Sequence, residues 1–458
     1  MRLDDRGSDL AAPGRWRPPP ATLYRVKLAL VLGLWASGLV AMFGAPEPVV
    51  LVRDAAFLLL LLALALPAAK RVSRALAGAG LTAALVLAAA FGETGALFRA
   101  AEDALVFVVF LPALLLMRET VQRTPEATAA EAAFDRLGPG RRIAGLTVGS
   151  HLLAAVMIIG ALPIIRPFLV RQEPALRAEL ARAALRGFAL CVLWSPFTVA
   201  MGFVLTAKPE VELAAVVAVG LPTTAAALIA AVFVDRGWRG VRAALPALVA
   251  FRSLALPILA LVGLVVVLAG LSPLATLELV ALVLPPLCLA RLWALPRPAI
   301  RAALLAAGRD LPRLGDELLI FTGALLLGAL ITGSGAAEAV ALMLRLEDWP
   351  LPAVPLLGFA LGPPLALAGL HPIVTATVLF ALLDPVAEAL PDLVEVQVVL
   401  FGWMAGAMVS YASLSVVAAS SLFEVPARRL VLGVNLRFLA GLAFAGAAVH
   451  GLVLGLLG

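Results

Sequence analysis

Polar side chains that interrupt long apolar runs are the residues of this sequence whose types and spacing suit chemistry. The clearest case is segment 361–372, in which prolines and glycines surround a histidine. Proline removes backbone donors and glycine lowers helix propensity, so the segment predicts a break in a helix. The helix that restarts there presents its positive N-terminal end, which favours an anionic ligand, whereas a purely structural proline kink is the alternative. The residues of this candidate site are Gly369, His371, Pro372, Thr375 and Thr377.

A second histidine, His151, lies in an apolar run of the first half and follows Ser150. Its Gly-Ser-His triplet matches the Gly-Leu-His triplet that ends in His371, at an offset of 220 positions. In a third apolar run, a proline lies between Ser195 and Thr198, where it frees a backbone carbonyl beside two hydroxyls. Within a membrane such groups suit a ligand or a proton, and a hydrogen-bonded core histidine is the alternative for the imidazole.

Two polar clusters of the second half complete the candidate set. Ser410 and Ser413 belong to a run of hydroxyls in an otherwise apolar stretch, and Ser410 lies 215 positions after Ser195. Ser334 and Gly335 belong to a Thr-Gly-Ser-Gly sequence, which suits a hairpin tip whose backbone N–H groups close over a solute. Serine also serves as a small packing residue between membrane helices, so both interpretations stay open for these hydroxyls.

The composition indicates the solvent in which these groups act. Apolar residues make up 63% of the 458 positions and charged residues 14%, whereas soluble domains have about 45–50% and about 25%. Apolar stretches long enough to cross roughly 30 Å of hydrocarbon recur along the chain. The sequence therefore predicts an all-α protein that crosses a membrane many times. Two cysteines, Cys191 and Cys288, are too few for a disulfide framework or a zinc site.

Charged loops predict how the spans are oriented, because arginine and lysine are enriched in cytoplasmic loops. About 11 full spans result if 103–140 and 316–345 are re-entrant hairpins that return to the side they came from. This arrangement leaves a disordered tail at 1–21 in the cytoplasm and the C-terminus outside, as the acidic loop 384–395 requires. It also leaves Arg118 and the arginines that follow it outside, against the charge rule.

The two halves of the chain resemble each other. Leu-Val-Phe ending at Phe107 matches Leu-Ile-Phe ending at Phe321, at an offset of 214 positions. Together with the histidine and serine matches, this predicts two inverted repeats, at 22–234 and 243–458. Inverted repeats that meet at broken helices near the middle of the membrane are typical of secondary transporters.

The pattern resembles the ion transporter superfamily, which includes divalent anion/sodium symporters, citrate transporters and arsenite-type permeases. The resemblance rests on the Gly-Ser-Gly hairpin tip, the Gly-Leu-His-Pro element at 369–372 and the serine-rich span that follows. It implies an elevator mechanism, in which a transport domain carries the site past a dimerising scaffold. By the same resemblance, 22–97 and 212–294 are expected to form the scaffold.

The sequence as a whole predicts a secondary active transporter of a small anionic solute, coupled to a proton or sodium gradient and using no cofactor. Expected partners are the lipid bilayer of a bacterial inner membrane and a second copy in a homodimer, with no nucleic acid. Two other classes stay open, a channel and a polytopic membrane enzyme that acts on a lipid-linked substrate. The chain has no HExxH motif and no GxSxG motif, which weakens the enzyme alternative.

Overall fold

The computed structural model describes residues 21–44, 48–92, 94–383 and 390–457 of the chain. The predicted tail lies outside this part except for its last residue, and so does the first half of the acidic loop, 384–389. All regular structure within the described ranges is helical, which confirms the all-α class. Ten helical stretches in these ranges are long and apolar enough to cross a membrane, which confirms the multi-pass prediction in that coarse form.

The helices form because lipid offers no partner to backbone N–H and C=O groups, which must therefore pair within the chain. Glycines and prolines between the apolar runs set most of the helix boundaries. The helices are α1 Ala21–Ala41, α2 Pro48–Ala65, α3 Arg71–Val86, α4 Thr94–Val121, α5 Pro125–Asp135, α6 Arg142–Met157, α7 Ala161–Val170, α8 Pro174–Leu190, α9 Val199–Ala207, α10 Leu213–Ala250, α11 Arg252–Leu271, α12 Thr276–Trp293, α13 Arg297–Asp310, α14 Leu314–Gly333, α15 Ala336–Met343, α16 Val354–Leu367, α17 Pro372–Leu383, α18 Asp392–Val409, α19 Leu414–Phe423, α20 Ala427–Val431 and α21 Val434–Leu457.

A first group of helices packs around α4 and α14. Helix α14 lies along α3, and α12 lies along α4. Gly80 and Gly323 allow the backbones of α3 and α14 to approach, because a Cβ at Gly80 would lie 2.6 Å from the Gly323 Cα. Where α4 meets α14, the rings of Phe107 and Phe321 stack with their centroids 5.1 Å apart. These two phenylalanines are the pair that the sequence matched between the halves.

Two helix pairs turn back on themselves. Arg142 at the start of α6 donates from Nη1 to Oε1 of Gln172, which follows α7, over 3.0 Å. A straight helix would separate these residues by about 45 Å, so α6 and α7 form a hairpin with its tip at Ile158–Gly160. In the same way, a Cβ at Gly358 in α16 would lie 3.9 Å from Cδ1 of Leu383, the last residue of α17. Helices α16 and α17 therefore form a second hairpin.

Each hairpin packs against a helix that is interrupted midway. The first is α8–α9, which is interrupted between Leu190 and Val199, and the second is α18–α19, interrupted between Val409 and Leu414. Helix α6 lies along α8, while α16 and α17 both lie along α18. Contacts of α9 with α18 and of α7 with α19 join the two hairpin units into a second group of helices.

The two helical hairpins of the structure lie outside 103–140 and 316–345, the regions for which the sequence predicts re-entrant hairpins. Region 103–140 holds most of α4, a continuous helix of 28 residues, followed by the short α5. Region 316–345 holds α14, whose 20 residues suffice for a crossing, and the eight-residue α15. Conversely, the predicted spans 143–165 and 351–383 are the two hairpins. In the first region, the charges that begin near Arg118 lie at the end of α4 and in the short α5, and in sequence such a charged cluster resembles a hairpin turn.

Candidate functional site

The second hairpin tip, residues 368–371, lies against the interruption of α18–α19. Gly369 has a φ of 87°, in the left-handed region that glycine tolerates, and this lets α16 end and the chain reverse. Ser410 Oγ donates to the Leu370 carbonyl oxygen over 2.6 Å and accepts the Ala412 N–H over 3.2 Å. The Ser410 hydroxyl thus links the hairpin tip to the interrupted segment of α18–α19 through two hydrogen bonds.

His371 ends this tip, and its side chain is nearly buried, with 8% exposed. Its Nδ1 accepts the Ile373 N–H over 3.4 Å, so the neutral ring carries its proton on Nε2. Among the described residues, Nε2 has no hydrogen-bond partner. Pro372 packs against Gly406 of α18, where a Cβ would lie 3.0 Å from the proline Cβ. The tip therefore presents one N–H donor from a position that packing holds in place.

Ser195 fastens the first interruption in the same manner. Its Oγ donates to the Ala155 carbonyl oxygen over 2.5 Å and accepts the Phe197 N–H over 3.3 Å. In both halves the serine thus bonds to a carbonyl 40 residues earlier. The nearby first hairpin tip contains Ile158 with a φ of 50°, a rare conformation for a β-branched residue. Such strain is concentrated at functional sites, which makes this tip a second candidate ligand position.

Four helices begin at the tips and interruptions, namely α7, α9, α17 and α19. Thr198 Oγ1 accepts the Met201 N–H over 3.2 Å at the start of α9, and Ser413 Oγ accepts the Ser415 N–H over 3.3 Å at the start of α19. Contacts of α19 with the first tip and of α18 with the first interruption bring these four starts into one region. Helix N-termini favour anions, and the carbonyls of the helices that end there favour cations.

His151 does not occupy a place like that of His371. It lies inside the uninterrupted α6, before the first tip begins. Its Nδ1 lies 3.1 Å from the Gly187 carbonyl oxygen, and its Nε2 accepts the Trp194 indole N–H over 3.2 Å. Both ring nitrogens are therefore engaged, which requires a neutral ring with the proton on Nδ1. The geometry favours a core histidine that positions Trp194 beside Ser195.

The remaining predicted hydroxyls divide between packing and open positions. Ser150 Oγ donates to the Ala184 carbonyl oxygen over 2.8 Å and ties α6 to α8. Thr377 Oγ1 donates within its own helix to the Ile373 carbonyl oxygen over 2.9 Å. Thr375 is fully buried, and its Oγ1 has no hydrogen-bond partner in the described part of the chain. Thr375 thus adds one uncommitted hydroxyl in the first turn of α17.

Ser334 and Gly335 lie in the turn between α14 and α15. Gly335 is exposed and has a φ of 69°, and only Glu338 lies within 4 Å of a Cβ placed there. Ser334 Oγ donates to the Ile331 carbonyl oxygen over 3.3 Å, within its own helix. These contacts include neither hairpin tip, although α14 and α15, which flank the pair, both contact α17.

A cavity of about 320 Å³ lies between the two groups of helices. Phe107 of α4 and Gly328 of α14 line one side, while Phe203 of α9 and Thr377 of α17 line the other. Asp103, Lys208 and Glu395 also contribute to its lining. The cavity therefore reaches a predicted site residue and follows the boundary along which the two groups meet.

Lys208, which follows α9, joins the two halves of the chain. Its Nζ lies 2.9 Å from Asp392 Oδ1 and 2.7 Å from Glu395 Oε2, at the start of α18. Burial disfavours the charged amine, but hydrogen bonds with Glu395 and Asp392 outweigh this and raise the pKa of Lys208. The ammonium group therefore stays charged and holds the end of α9 against α18.

Sequence reasoning missed a fully buried charge. Arg186 in α8 is fully buried, forms an ion pair with Asp235 of α10 and donates from Nη1 to Asn435 Oδ1 over 2.7 Å. Asn435 in turn donates to the Leu430 carbonyl oxygen over 2.7 Å. The available signal was an arginine inside an apolar stretch, because such a charge is costly in a membrane unless it is paired. The cluster ties α8, α10 and α21 together.

No group of three or more His, Cys, Asp or Glu side chains in the described ranges is arranged to hold a metal ion. A comparison with protein-family models found no match, and a comparison with curated proteins found none either.

Proposed function

We propose that this protein is a secondary active transporter that carries a small anionic solute across the membrane, driven by a proton or sodium gradient. The observation that carries the proposal is the meeting of two helical hairpins with two interrupted helices. One buried serine fastens each pair, Ser195 in the first half and Ser410 in the second. Interrupted helices are tolerated in lipid only where the freed backbone is buried, lines a cavity or binds a ligand.

A constant register between the halves supports two inverted repeats. The two serines and the two carbonyls that they bind are each 215 positions apart. The same offset relates two close helix crossings, where Gly187 meets the Thr147 carbonyl and where Gly402 meets Gly362. Four matched positions at one offset are what two copies of a hairpin and an interrupted helix would produce.

This register makes the proposed site asymmetric. The position that corresponds to His151 is Ala366, and the position that corresponds to His371 is Val156. We therefore assign His371 as the solute or proton ligand and His151 as a positioning residue. The two histidines are 220 positions apart, five more than the offset of 215 that relates the two halves, so they do not occupy corresponding positions.

The proposed topology has 11 crossings and two hairpins, with the N-terminus in the cytoplasm. The crossings are α1, α2, α3, α4, α8–α9, α10, α11, α12, α14, α18–α19 and α21. Hairpin α6–α7 enters from the cytoplasm and α16–α17 enters from outside. Because α4 is now a full crossing, the arginines from Arg118 to Arg142 become cytoplasmic and agree with the charge rule.

An elevator mechanism fits two separately packed groups of helices. We assign α1–α4, α11, α12 and α14 to the scaffold, through which a homodimer would form, and α6–α9 with α16–α19 to the transport domain. Helix α10 packs along α6 and α8, and α21 along α16, so both accompany the transport domain. The family resemblance alone had assigned α10 to the scaffold. The cavity of about 320 Å³ lies on the boundary across which the domain would slide.

Two groups suit the coupling ion, and experiment distinguishes them. An imidazole changes charge near neutral pH, so His371 suits coupling to protons. The carbonyls at the ends of α6, α8, α16 and α18 suit sodium, since they need no charged side chain. If uptake is coupled to protons, it should require the His371 imidazole. If it is coupled to sodium, part of the uptake should remain when His371 is replaced.

Uptake by proteoliposomes tests the function. The purified protein would be reconstituted, and labelled succinate, citrate and sulfate would be offered under an inward proton gradient, an inward sodium gradient or neither. We expect at least one anion to accumulate above its outside concentration under one gradient, and an ionophore that collapses the gradient to abolish this. The test variant is Ser410→Ala, which removes the hydrogen bond to the second tip. The matched control is Ser420→Ala, which removes a serine hydrogen bond at the far end of α19.

Each alternative class has its own signature in this assay. Anion movement that stays downhill under every gradient would indicate a channel. Chemical conversion of a probe without uptake would indicate an enzyme. Absence of flux for all three anions would contradict an anionic solute.

A further inference from the structure

A second cavity, of about 350 Å³, lies between α4, α6, α11 and α12. Leu264 of α11 and Leu287 of α12 line it and are 39% and 37% exposed on the outer surface of the helix bundle, so it opens sideways. Thr120 and Thr124 in its wall donate to carbonyls of their own helix turns. Apart from Glu126 and Arg291, the remaining lining side chains are apolar, with Cys288 among them. A hydrocarbon chain is the ligand class that such walls suit.

One arginine lies at an end of this cavity. Arg291, in the last turn of α12, donates from Nη2 to both carboxylate oxygens of Glu126, over 2.6 and 2.8 Å. Its Nε and Nη1 have no hydrogen-bond partner in the part of the chain that the structure describes. A guanidinium with uncommitted donors matches the geometry of phosphate oxygens.

We propose that this cavity binds an acyl chain of a phospholipid and that Arg291 donates to the phosphate of the same molecule. The sideways opening faces the bilayer, whose acyl chains are the hydrocarbon present at that depth. The proposed topology, on which the choice of leaflet rests, places the end of α12 at the cytoplasmic side. The lipid therefore comes from the cytoplasmic leaflet.

The bound acyl chain lies between helices of the proposed scaffold and the first hairpin of the proposed transport domain. Leu254, Ile258 and Leu284 line the cavity from α11 and α12, whereas Val156 lines it from the first hairpin, just before its tip. An acyl chain there fills space between a scaffold wall and a hairpin wall. Lipid binding itself requires no transport activity, so the inference can stand if the proposed solute class fails.

Native mass spectrometry of the full chain in detergent micelles tests the proposal. The probes are phosphatidylglycerol and the diacylglycerol with the same acyl chains, which lacks the phosphate. We expect one phosphatidylglycerol to be retained. In Arg291→Gln retention should fall about tenfold, the effect of about 1.4 kcal/mol, which is near the lower range for hydrogen bonds to charged groups. Arg236→Gln is the matched control, because Arg236 is half exposed and pairs with a glutamate, Glu179, that is 30% exposed, as Arg291 does with Glu126 at 29%, but it lines no part of this cavity.

Filling the cavity gives an independent test of the acyl chain. Cys288→Phe places a ring inside it, and Leu287→Trp blocks its mouth if the first variant does not fold. Both should lose the bound lipid while leaving Arg291 in place. Equal retention of the two probes, unchanged retention in Arg291→Gln, or a fatty acid in place of phospholipid would each overturn the proposal.

Discussion

The polar side chains of the candidate site are of two kinds. Some form hydrogen bonds that hold neighbouring helices together, and others keep a donor that no described residue accepts. Ser195 and Ser410 each donate their hydroxyl to a backbone carbonyl of the hairpin beside them, so they fix the position of that hairpin against the interrupted helix. His151 has both ring nitrogens engaged, while His371 keeps Nε2 without a partner among the described residues. The two histidines have similar neighbours in sequence, but their hydrogen-bond partners in the structure differ, and so do the roles that we propose for them.

Substituting each histidine should therefore produce different defects. His371→Gln should abolish uptake driven by a proton gradient in proteoliposomes and leave the thermal unfolding temperature nearly unchanged, because the hydrogen bond that its ring makes within the described ranges is local. His151→Leu should destabilise the protein by about 1–3 kcal/mol, because the Gly187 carbonyl and the Trp194 indole N–H lose their partner. Full uptake by His371→Gln would remove the ligand assignment.

The buried charge cluster predicts a large stability effect. Asp235→Asn leaves Arg186 without its counter-charge in a fully buried position, and we expect a loss of about 3–5 kcal/mol in thermal or chemical unfolding. Asp348→Asn removes a pair with Arg345, whose side chains are 52% and 78% exposed, and should cost at most about 1 kcal/mol. Equal effects from the two variants would show that the buried pair does not hold α8 and α10 together.

At the scale of elements, the hairpins depend on close helix crossings. A Cβ at Gly187 would collide with the Thr147 carbonyl oxygen and the Ser150 hydroxyl, and backbone at such a crossing has little freedom to yield. Gly187→Ala should therefore destabilise the protein by about 1–3 kcal/mol and lower uptake, because α6 shifts off α8. Gly33→Ala in α1, where nothing lies within 4 Å of the new Cβ, is the control and should be neutral or slightly stabilising in the same unfolding assay.

Sequence reasoning could find the interruptions but not the direction of the chain after them. Prolines and glycines at 361–372 and the proline between Ser195 and Thr198 predict breaks, and helices do stop there. An apolar run with a break has the same hydropathy whether the chain continues across the membrane or turns back. Only a tertiary contact, such as that between Arg142 and Gln172, distinguishes the two.

The candidate site shows the same limit. Local sequence marked the serines and His371, because hydroxyls and an imidazole are rare in apolar runs. It also marked Ser334 and Gly335, whose glycine-rich turn resembles a hairpin tip but joins a long helix to a short one. The role of Arg186 depends on partners far away in sequence, Asp235 and Asn435, which periodicity and composition do not pair.

At the scale of the whole molecule, ion pairs agree with the proposed topology. Arg177, at the start of α8, lies 3.0 Å from Glu424, at the end of α19, and both belong to the cytoplasmic side in the proposal. Lys208 and Asp392, 2.9 Å apart, belong to the outer side. Two hairpins that enter from opposite sides can present the same site to either face of the membrane, which alternating access requires.

Sided cysteine labelling tests the opposed hairpins most directly. Single cysteines would replace Arg141 and Glu173, which flank the first hairpin, and Asp348 and Pro391, which flank the second, in a chain without Cys191 and Cys288. A membrane-impermeant maleimide should label the first two only from the cytoplasmic side and the last two only from the outside. Labelling of positions 141 and 173 from opposite sides would mean that α6–α7 crosses the membrane, and would contradict the account.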